Sequence, residues 1–227
     1  MVEVGPGPGG LTRALLDTAA ESVLAVEVDA RAVSALAELE AAYPGRLRVL
    51  AADAVRLDLV PLVPAPRQLV ANLPYNVATP LLIGWLRQAQ AWERMTLMFQ
   101  QEVAERIAAA PDTPAYGRLS VLVQWTCRTA LLMRLPPAAF APPPKVWSAV
   151  VGLLPHPAQP PPALFAAMER VTAAAFGQRR KMLRGSLRAL GGEALLARAG
   201  IVPERRAETL EVAEFDRLAR LVHAGAG

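Results

Sequence analysis

Two short segments and two acids in this sequence could do chemistry together. Gly5-Pro6-Gly7-Pro8-Gly9-Gly10 follows the short apolar run at Val2–Val4 and opens an amphipathic one at Leu11. Glycines at such a junction let the backbone pass close to a ligand at the carboxyl end of a strand. The pattern is not specific, because Gly5-x-Gly7-x-x-Gly10 also satisfies the dinucleotide fingerprint, as would a tight glycine turn without a ligand. Glu27 ends the next apolar run, where an acid can hold the ribose hydroxyls of any adenosine cofactor. Nicotinamide enzymes and methyltransferases share that feature, and an exposed acid at a strand end is the plainer reading. Asp29 is expected to cap the following helix. Asp53, in Ala51-Ala52-Asp53-Ala54, could accept from an adenine amino group or simply close a turn.

The sharpest signal is Asn72-Leu73-Pro74-Tyr75, which ends the fourth apolar run. An aryl amine is a poor nucleophile because its lone pair is delocalised into the ring. An Asn side-chain oxygen and a nearby backbone carbonyl can accept its two N–H bonds. That favours a more tetrahedral nitrogen with its lone pair aimed at a sulfonium methyl group. Pro74 contributes no N–H and stiffens the turn. Tyr75 offers a flat face for a base that must leave its stack to reach the site. No general base is evident and none is needed before attack, since the methylated amine is acidic enough to lose its proton to water. Catalysis would rest on alignment and electrostatics. The plainer alternative is a strand-ending Asn-Pro turn.

These residues must be positioned by regular elements. Val2–Val4, Val23–Val28, Leu47–Ala51, Gln68–Asn72 and Met95–Gln100 read as buried parallel strands. Leu11–Ala19, Ala30–Ala42, Pro80–Ala89 and Gln101–Ala109 read as the helices between them, which implies an open parallel sheet with helices on both faces. A helix at Leu119–Cys127 precedes strands at Thr129–Leu135 and Trp147–Leu154, expected to pair antiparallel at the sheet edge. The proline-rich stretch from Pro155 to Pro162 is a natural boundary. Beyond it the pattern is helical over Ala163–Phe176, Lys181–Leu190, Gly192–Arg198 and Val212–His223. The expectation is an α/β sheet domain over 1–155 and a small helical domain over 163–227.

Composition narrows the partners. The net charge of +4 is only a hint of an anionic one, but Arg179, Arg180, Lys181, Arg184 and Arg188 crowd one segment with no acid between them. A solvated helix face is the alternative for that cluster. No stretch reaches the ~18 apolar residues of a membrane span, and with no basic or long apolar run after Met1 no secretory signal is expected. The expectation is a soluble, cytoplasmic monomer. The lone Cys127 reads as a buried structural thiol, and His156 and His223 read as surface residues too far apart for a metal site.

Glu3-x-Gly5-Pro6-Gly7-x-Gly9-x-Leu11-Thr12, Asn72-Leu73-Pro74-Tyr75 and Phe140-x-Pro142-Pro143-Pro144-Lys145-Val146-x-Ser148-Ala149-Val150-Val151 resemble the ribosomal RNA adenine dimethyltransferase family. Phe99-Gln100-Gln101-Glu102-Val103-Ala104-x-Arg106, Tyr116-Gly117-Arg118-Leu119-Ser120, Phe176-Gly177-Gln178-Arg179-Arg180-Lys181 and Arg206-Ala207-Glu208-x-Leu210 extend the resemblance over essentially the whole chain. The Pro-Pro-Lys-Val-x-Ser and Arg-Arg-Lys stretches favour its housekeeping small-subunit branch over the antibiotic-resistance branch.

The resemblance implies a class I methyltransferase fold that uses S-adenosyl-L-methionine. Gly5, Gly7, Glu27, Asp53 and Asn72 would line the cofactor site. Asn72, Leu73 and Tyr75 would hold the target adenine with Phe140 on its other side, and Lys145, Arg179, Arg180, Lys181 and Arg184 would meet RNA phosphate. It further implies dimethylation at N6 of adjacent adenosines in the 3′-terminal hairpin loop of small-subunit rRNA, with the pre-ribosomal small subunit as partner. The family normally carries a segment before the first strand that covers the cofactor; here that strand begins at Val2, so weak cofactor binding is expected. The rival readings are a nicotinamide-dependent dehydrogenase, which explains neither the Asn-Leu-Pro-Tyr tetrad nor the basic cluster, and a non-catalytic RNA-binding assembly factor.

Overall fold

A computed structural model describes residues 1–178 and 180–225, and of Tyr75 and Asn76 the backbone alone. In chain order its elements are β1 (Val2–Val4), α1 (Gly10–Leu16), β2 (Val23–Glu27), α2 (Ala30–Ala42), β3 (Leu47–Ala51), β4 (Gln68–Asn72), α3 (Tyr75–Leu86) and β5 (Arg94–Gln100). Then come α4 (Gln101–Ala108), α5 (Arg118–Thr126), β6 (Cys127–Leu135), β7 (Ser148–Pro155), α6 (Pro162–Gly177), α7 (Leu183–Ser186), α8 (Gly192–Ala199) and α9 (Val212–Ala224).

The strands form one seven-stranded sheet in the order β3-β2-β1-β4-β5-β7-β6. β1 to β5 pair in parallel and β7 runs antiparallel to β5. Every residue of β1 and β2 is buried, which is why these strands read as near-continuous apolar runs rather than alternating ones. Leu15 and Leu16 of α1, Leu36 and Leu39 of α2, and Val23, Ala25 and Leu47 form one apolar cluster beside them. Because β2 and β4 flank β1, the strand order reverses at β1, and the crevice beyond its carboxyl end is where such sheets bind ligands.

Two compact units divide the chain. The first holds 1–101 and 130–155, the second 102–129 and 156–227. The expected boundary at residue 155 placed α4 and α5 with the sheet; both belong by their packing to the helical unit. Burial explains this. Val121, Leu122 and Val123 of α5 and the preceding Tyr116 are all fully buried. Tyr116 meets Phe176 of α6 edge-on at 6.1 Å, and Phe176 stacks on Phe215 of α9 at 5.5 Å. The Trp125 indole N–H donates to Asp216 at 3.0 Å, and the Gln159 side chain donates to the Thr126 carbonyl at 2.7 Å, fixing the middle of the proline-rich stretch. His156 is half-buried rather than a surface residue, its ring 3.1 Å from the Gln124 carbonyl oxygen. Cys127 is buried and free, as its surroundings in the sequence suggest.

Three helices differ from expectation, the first being α1, which ends at Leu16 and not at Ala19. α3 starts at Tyr75, five residues before Pro80, which lies inside it. Proline in a helix interior removes a hydrogen bond, but Ala78, Leu81, Leu82, Trp85 and Leu86 are all buried, and that packing outweighs the loss. The segment Lys181–Leu190 is not one helix. It is the four-residue α7 followed by a single 3-10 turn at Arg188–Leu190. Gly185 and Ser186 are weak helix formers, and Gly191 stops the turn at φ 117°. No helix among the described residues is long and apolar enough to cross a membrane.

Candidate active site

The parallel register brings the suspected residues to one level. Val4 of β1 pairs with Val26 of β2 and Ala71 of β4, and Glu27 pairs with Ala51. Gly5, Glu27, Ala51 and Asn72 therefore lie side by side at its carboxyl edge. They meet in a cleft of about 340 Å3 whose walls include Gly5, Gly7, Glu27, Asp53, Asn72 and Leu73.

The glycine loop owes its course to positive φ at Gly5 (71°), Gly7 (54°) and Gly9 (89°). A side chain at Gly9 would put its Cβ 2.8 Å from Leu36 and 3.2 Å from Leu39, so this glycine allows α1 to start against α2. At Gly7 a Cβ would meet nothing within 4 Å, which leaves the loop's outer side open to a ligand.

Glu27 is the organising acid. Its Oε2 accepts from the Gly7 N–H at 3.1 Å, and its Oε1 from the Val28 and Asp29 N–H groups at 2.8 and 2.9 Å. These bonds tie the two loops together and fix the carboxylate while it is 8% exposed. A carboxylate has about four acceptor positions, so one remains for a ligand hydroxyl. Holding both hydroxyls of a ribose would require sharing or surrendering the Gly7 contact.

The other acids have local duties. Asp29 caps α2 by accepting from the Arg31 N–H at 2.9 Å, and hydrogen bonds from Arg31 hold its carboxyl at about 2. Asp53 accepts from the Val55 N–H at 2.9 Å, with the Arg56 guanidinium 3.7 Å away, so it closes a turn in the wall of the cleft. Asn72 is exposed at the cleft while Leu73 beside it is buried. The Asn72 carbonyl oxygen lies 3.7 Å from where a Gly5 Cβ would sit, so the tetrad and the glycine loop abut through backbone.

Glu3 has no role assigned by sequence reasoning and is the site's unexpected residue. It lies in mid-strand at 1% exposure, and neither carboxylate oxygen has a well-formed hydrogen bond. Burial pushes its pKa up to about 7; the buried Thr12 hydroxyl offsets part of the rise without being well aligned, and the Glu27 charge adds to it. The signal in the sequence is an acid enclosed by Val2 and Val4 in a strand buried throughout.

Not every expected residue joins the cleft. Tyr75 begins α3 directly after the tetrad's Pro74, but its side chain lies outside the described residues. Phe140 is half-buried after a 3-10 turn and does not line the cleft. Lys145 is exposed on the segment leading into β7. In the helical unit Arg180, Lys181, Arg184 and Arg188 are exposed, and Arg179 lies outside the described residues. Arg184 sits 3.8 Å from both Glu193 and Glu204, so part of its charge is already answered.

The sequence profile of the ribosomal RNA adenine dimethylase family matches residues 1–223. The chain belongs to that family. It is 66% identical over 221 residues to the ribosomal RNA small subunit methyltransferase A of Gluconobacter oxydans, covering 97% of this chain and 73% of that protein. It is 57% identical over 225 residues to the protein of the same name from Rhodospirillum rubrum, covering 99% and 78%. Among solved structures it resembles a dimethyladenosine transferase from Plasmodium falciparum, with a TM-score of 0.78 at 25% identity over 96% of this chain and 87% of that one. The 23S rRNA methyltransferase ErmE follows at a TM-score of 0.67 and 26% identity, over 96% and 88%. As an adenine dimethylase family member the chain is a methyltransferase, and the dehydrogenase reading of its glycine loop falls away.

Proposed function

We propose that this protein transfers methyl groups from S-adenosyl-L-methionine to the N6 of adenines in small-subunit ribosomal RNA, twice at each target. The targets are adjacent adenosines of the 3′-terminal hairpin loop, presented on a pre-ribosomal small subunit. The observation that carries this reading is the meeting, in one cleft, of the Asn72 turn with a glycine loop locked onto Glu27.

The cleft suits the cofactor chemically. It offers a buried anchored carboxylate, open space at Gly7 and the further acids Asp29 and Asp53, a set matched to a hydroxyl-rich ligand bearing positive charge. When bound, S-adenosyl-L-methionine supplies an electrophilic methyl group on its sulfonium. Glu27 orients the ribose through its free acceptor position, and Asp53 accepts from the adenine amine of the cofactor. Asn72 and a carbonyl of its turn accept the two N–H bonds of the target amine, which pyramidalises the nitrogen and points its lone pair into the cleft. Leu73 excludes water from that nitrogen, and Tyr75 supplies a stacking face. The proton released from nitrogen passes to water. Preorganised acceptors of this kind need no rearrangement during reaction. Lys145 and the basic segment from Arg179 to Arg184 hold RNA phosphate.

The test is direct. Unmodified small subunits incubated with the protein and isotopically labelled S-adenosyl-L-methionine should yield N6,N6-dimethyladenosine by mass spectrometry after nuclease digestion, at the hairpin positions. Labelled product confined to another nucleoside, or to large-subunit RNA, would overturn the proposal.

A further inference from the structure

The core of this protein takes in its tryptophans where it can: Trp85 and Trp92 are 6% and 3% exposed. Trp147 is the contrast, at 49%, next to Val146 at 44%. Its backbone is fixed, because the Trp147 carbonyl accepts from the Gln101 N–H at 2.9 Å and the next residue, Ser148, is fully buried and pairs with Gln100. An exposed indole on an anchored backbone is a flat surface with only two side-chain torsions left to order.

Its position follows from strand register. Asn72 pairs with Met98 of β5, and Met98 pairs with Val150 of β7. β7 is antiparallel to β5, so residues before Val150 lie progressively further beyond the carboxyl edge of the sheet. Trp147 thus stands two strands across from Asn72 and three residues further out, about 10 Å in each direction. It lies on the edge at which the target base is proposed to enter. Lys145, two residues earlier, is exposed and brings positive charge to the same segment.

We infer that Trp147 is a stacking platform for an unpaired base flanking the target adenosine, with Lys145 on the adjoining phosphate. A single-stranded nucleotide is the occupant that satisfies both features, since every base has a face to stack on indole and every linkage an anion for the ammonium. This inference rests on the proposed function and deepens it: the enzyme would read its loop at a second base besides the target.

The experiment is a cycle of protein and RNA changes. Trp147→Ala should raise KM for the RNA roughly five- to hundredfold, the range for losing one base–aromatic stack. It should leave cofactor affinity and the thermal midpoint at their wild-type values, and Trp147→Phe should recover most of the loss. RNA with an abasic residue at the flanking position should weaken wild type by a similar factor and leave Trp147→Ala little further to lose. An unchanged KM in Trp147→Ala, or losses that simply multiply when both changes are combined, would overturn the stacking role alone. Failure of the wild-type protein to methylate adenine would instead overturn the proposed function, and the stacking role with it.

Discussion

The cleft at the carboxyl edge of the sheet and the basic segment around Arg180 are both assigned to binding, yet they are built on opposite principles. In the cleft, position comes from backbone. Strand register aligns Gly5, Glu27 and Asn72, and three main-chain N–H groups clamp one carboxylate that is almost fully buried. In the basic segment, position comes from little. A four-residue helix and one 3-10 turn carry exposed side chains, and Arg184 is shared between two glutamates at 3.8 Å. A reacting atom must be held to a fraction of an ångström, whereas a phosphate can be met by any mobile cation within range. The cleft should therefore fail sharply on mutation, and the basic segment should fade by degrees.

The strongest response to mutation is expected at Glu3, beneath the cleft. Glu3 has a native pKa of about 7 against an ordinary 4.5, because burial disfavours its charge. A raised carboxyl pKa means that the stabilising share of the neutral acid is complete below about pH 4.5. It is lost as pH rises through 7 and wholly absent above. At 1.36 kcal/mol per pH unit of difference, the full loss is about 3 kcal/mol. Glu3→Gln, neutral throughout, should therefore match wild type near pH 4.5 and exceed it by about that amount at pH 8. Denaturant unfolding of the cofactor-free protein at both pH values checks this. A variant less stable than wild type at pH 8 would show that ionised Glu3 has a partner the geometry does not reveal.

Next comes Glu27→Ala. It should weaken S-adenosyl-L-methionine binding by about 1–3 kcal/mol, the range for losing a charged hydrogen-bonding group, and should spare RNA affinity. Part of the loss would come from the Gly7, Val28 and Asp29 N–H groups left unanchored. Unchanged affinity in isothermal titration would separate Glu27 from the cofactor and make it a loop clamp only.

The basic segment should give the smallest and most graded response. Each phosphate contact removed by alanine at Arg180 or Lys181 should reduce the log–log salt slope of RNA binding by ~0.7–0.9. Arg184→Ala should change it less, because Glu193 and Glu204 already engage that charge. Equal slopes for all three variants and wild type would show this segment to be a solvated face.

How far these two regions could be read from sequence follows the same division. The bounds of β1, α2, β3 and β4 were legible because buried parallel strands and an amphipathic helix leave strong periodic signals, and Gly-x-Gly punctuates their junction. The start of α3 was not: a proline at position 80 reads as a helix start, and only the burial of Leu81, Leu82 and Trp85 shows the helix already under way. The packing of α4 and α5 against α6 and α9 was also hidden, since it depends on where Tyr116 and Trp125 find partners 60 and 91 residues away. Nor could the sequence show that Glu3 lacks a well-formed hydrogen bond, because that is a property of what surrounds it in space.

Asn72 lines the cofactor cleft, yet its proposed work is on the target amine, with little contribution to cofactor affinity. The most direct test compares Asn72→Ala with wild type in two assays on the same preparation: cofactor affinity by titration, and single-turnover methylation of unmodified small subunits. Methylation should fall on the order of 10²-fold or more, the usual consequence of removing a preorganised acceptor, while the cofactor Kd stays within a few-fold. Loss of affinity in step with loss of turnover would contradict the account and make Asn72 a cofactor ligand; undiminished turnover would remove it from the chemistry altogether.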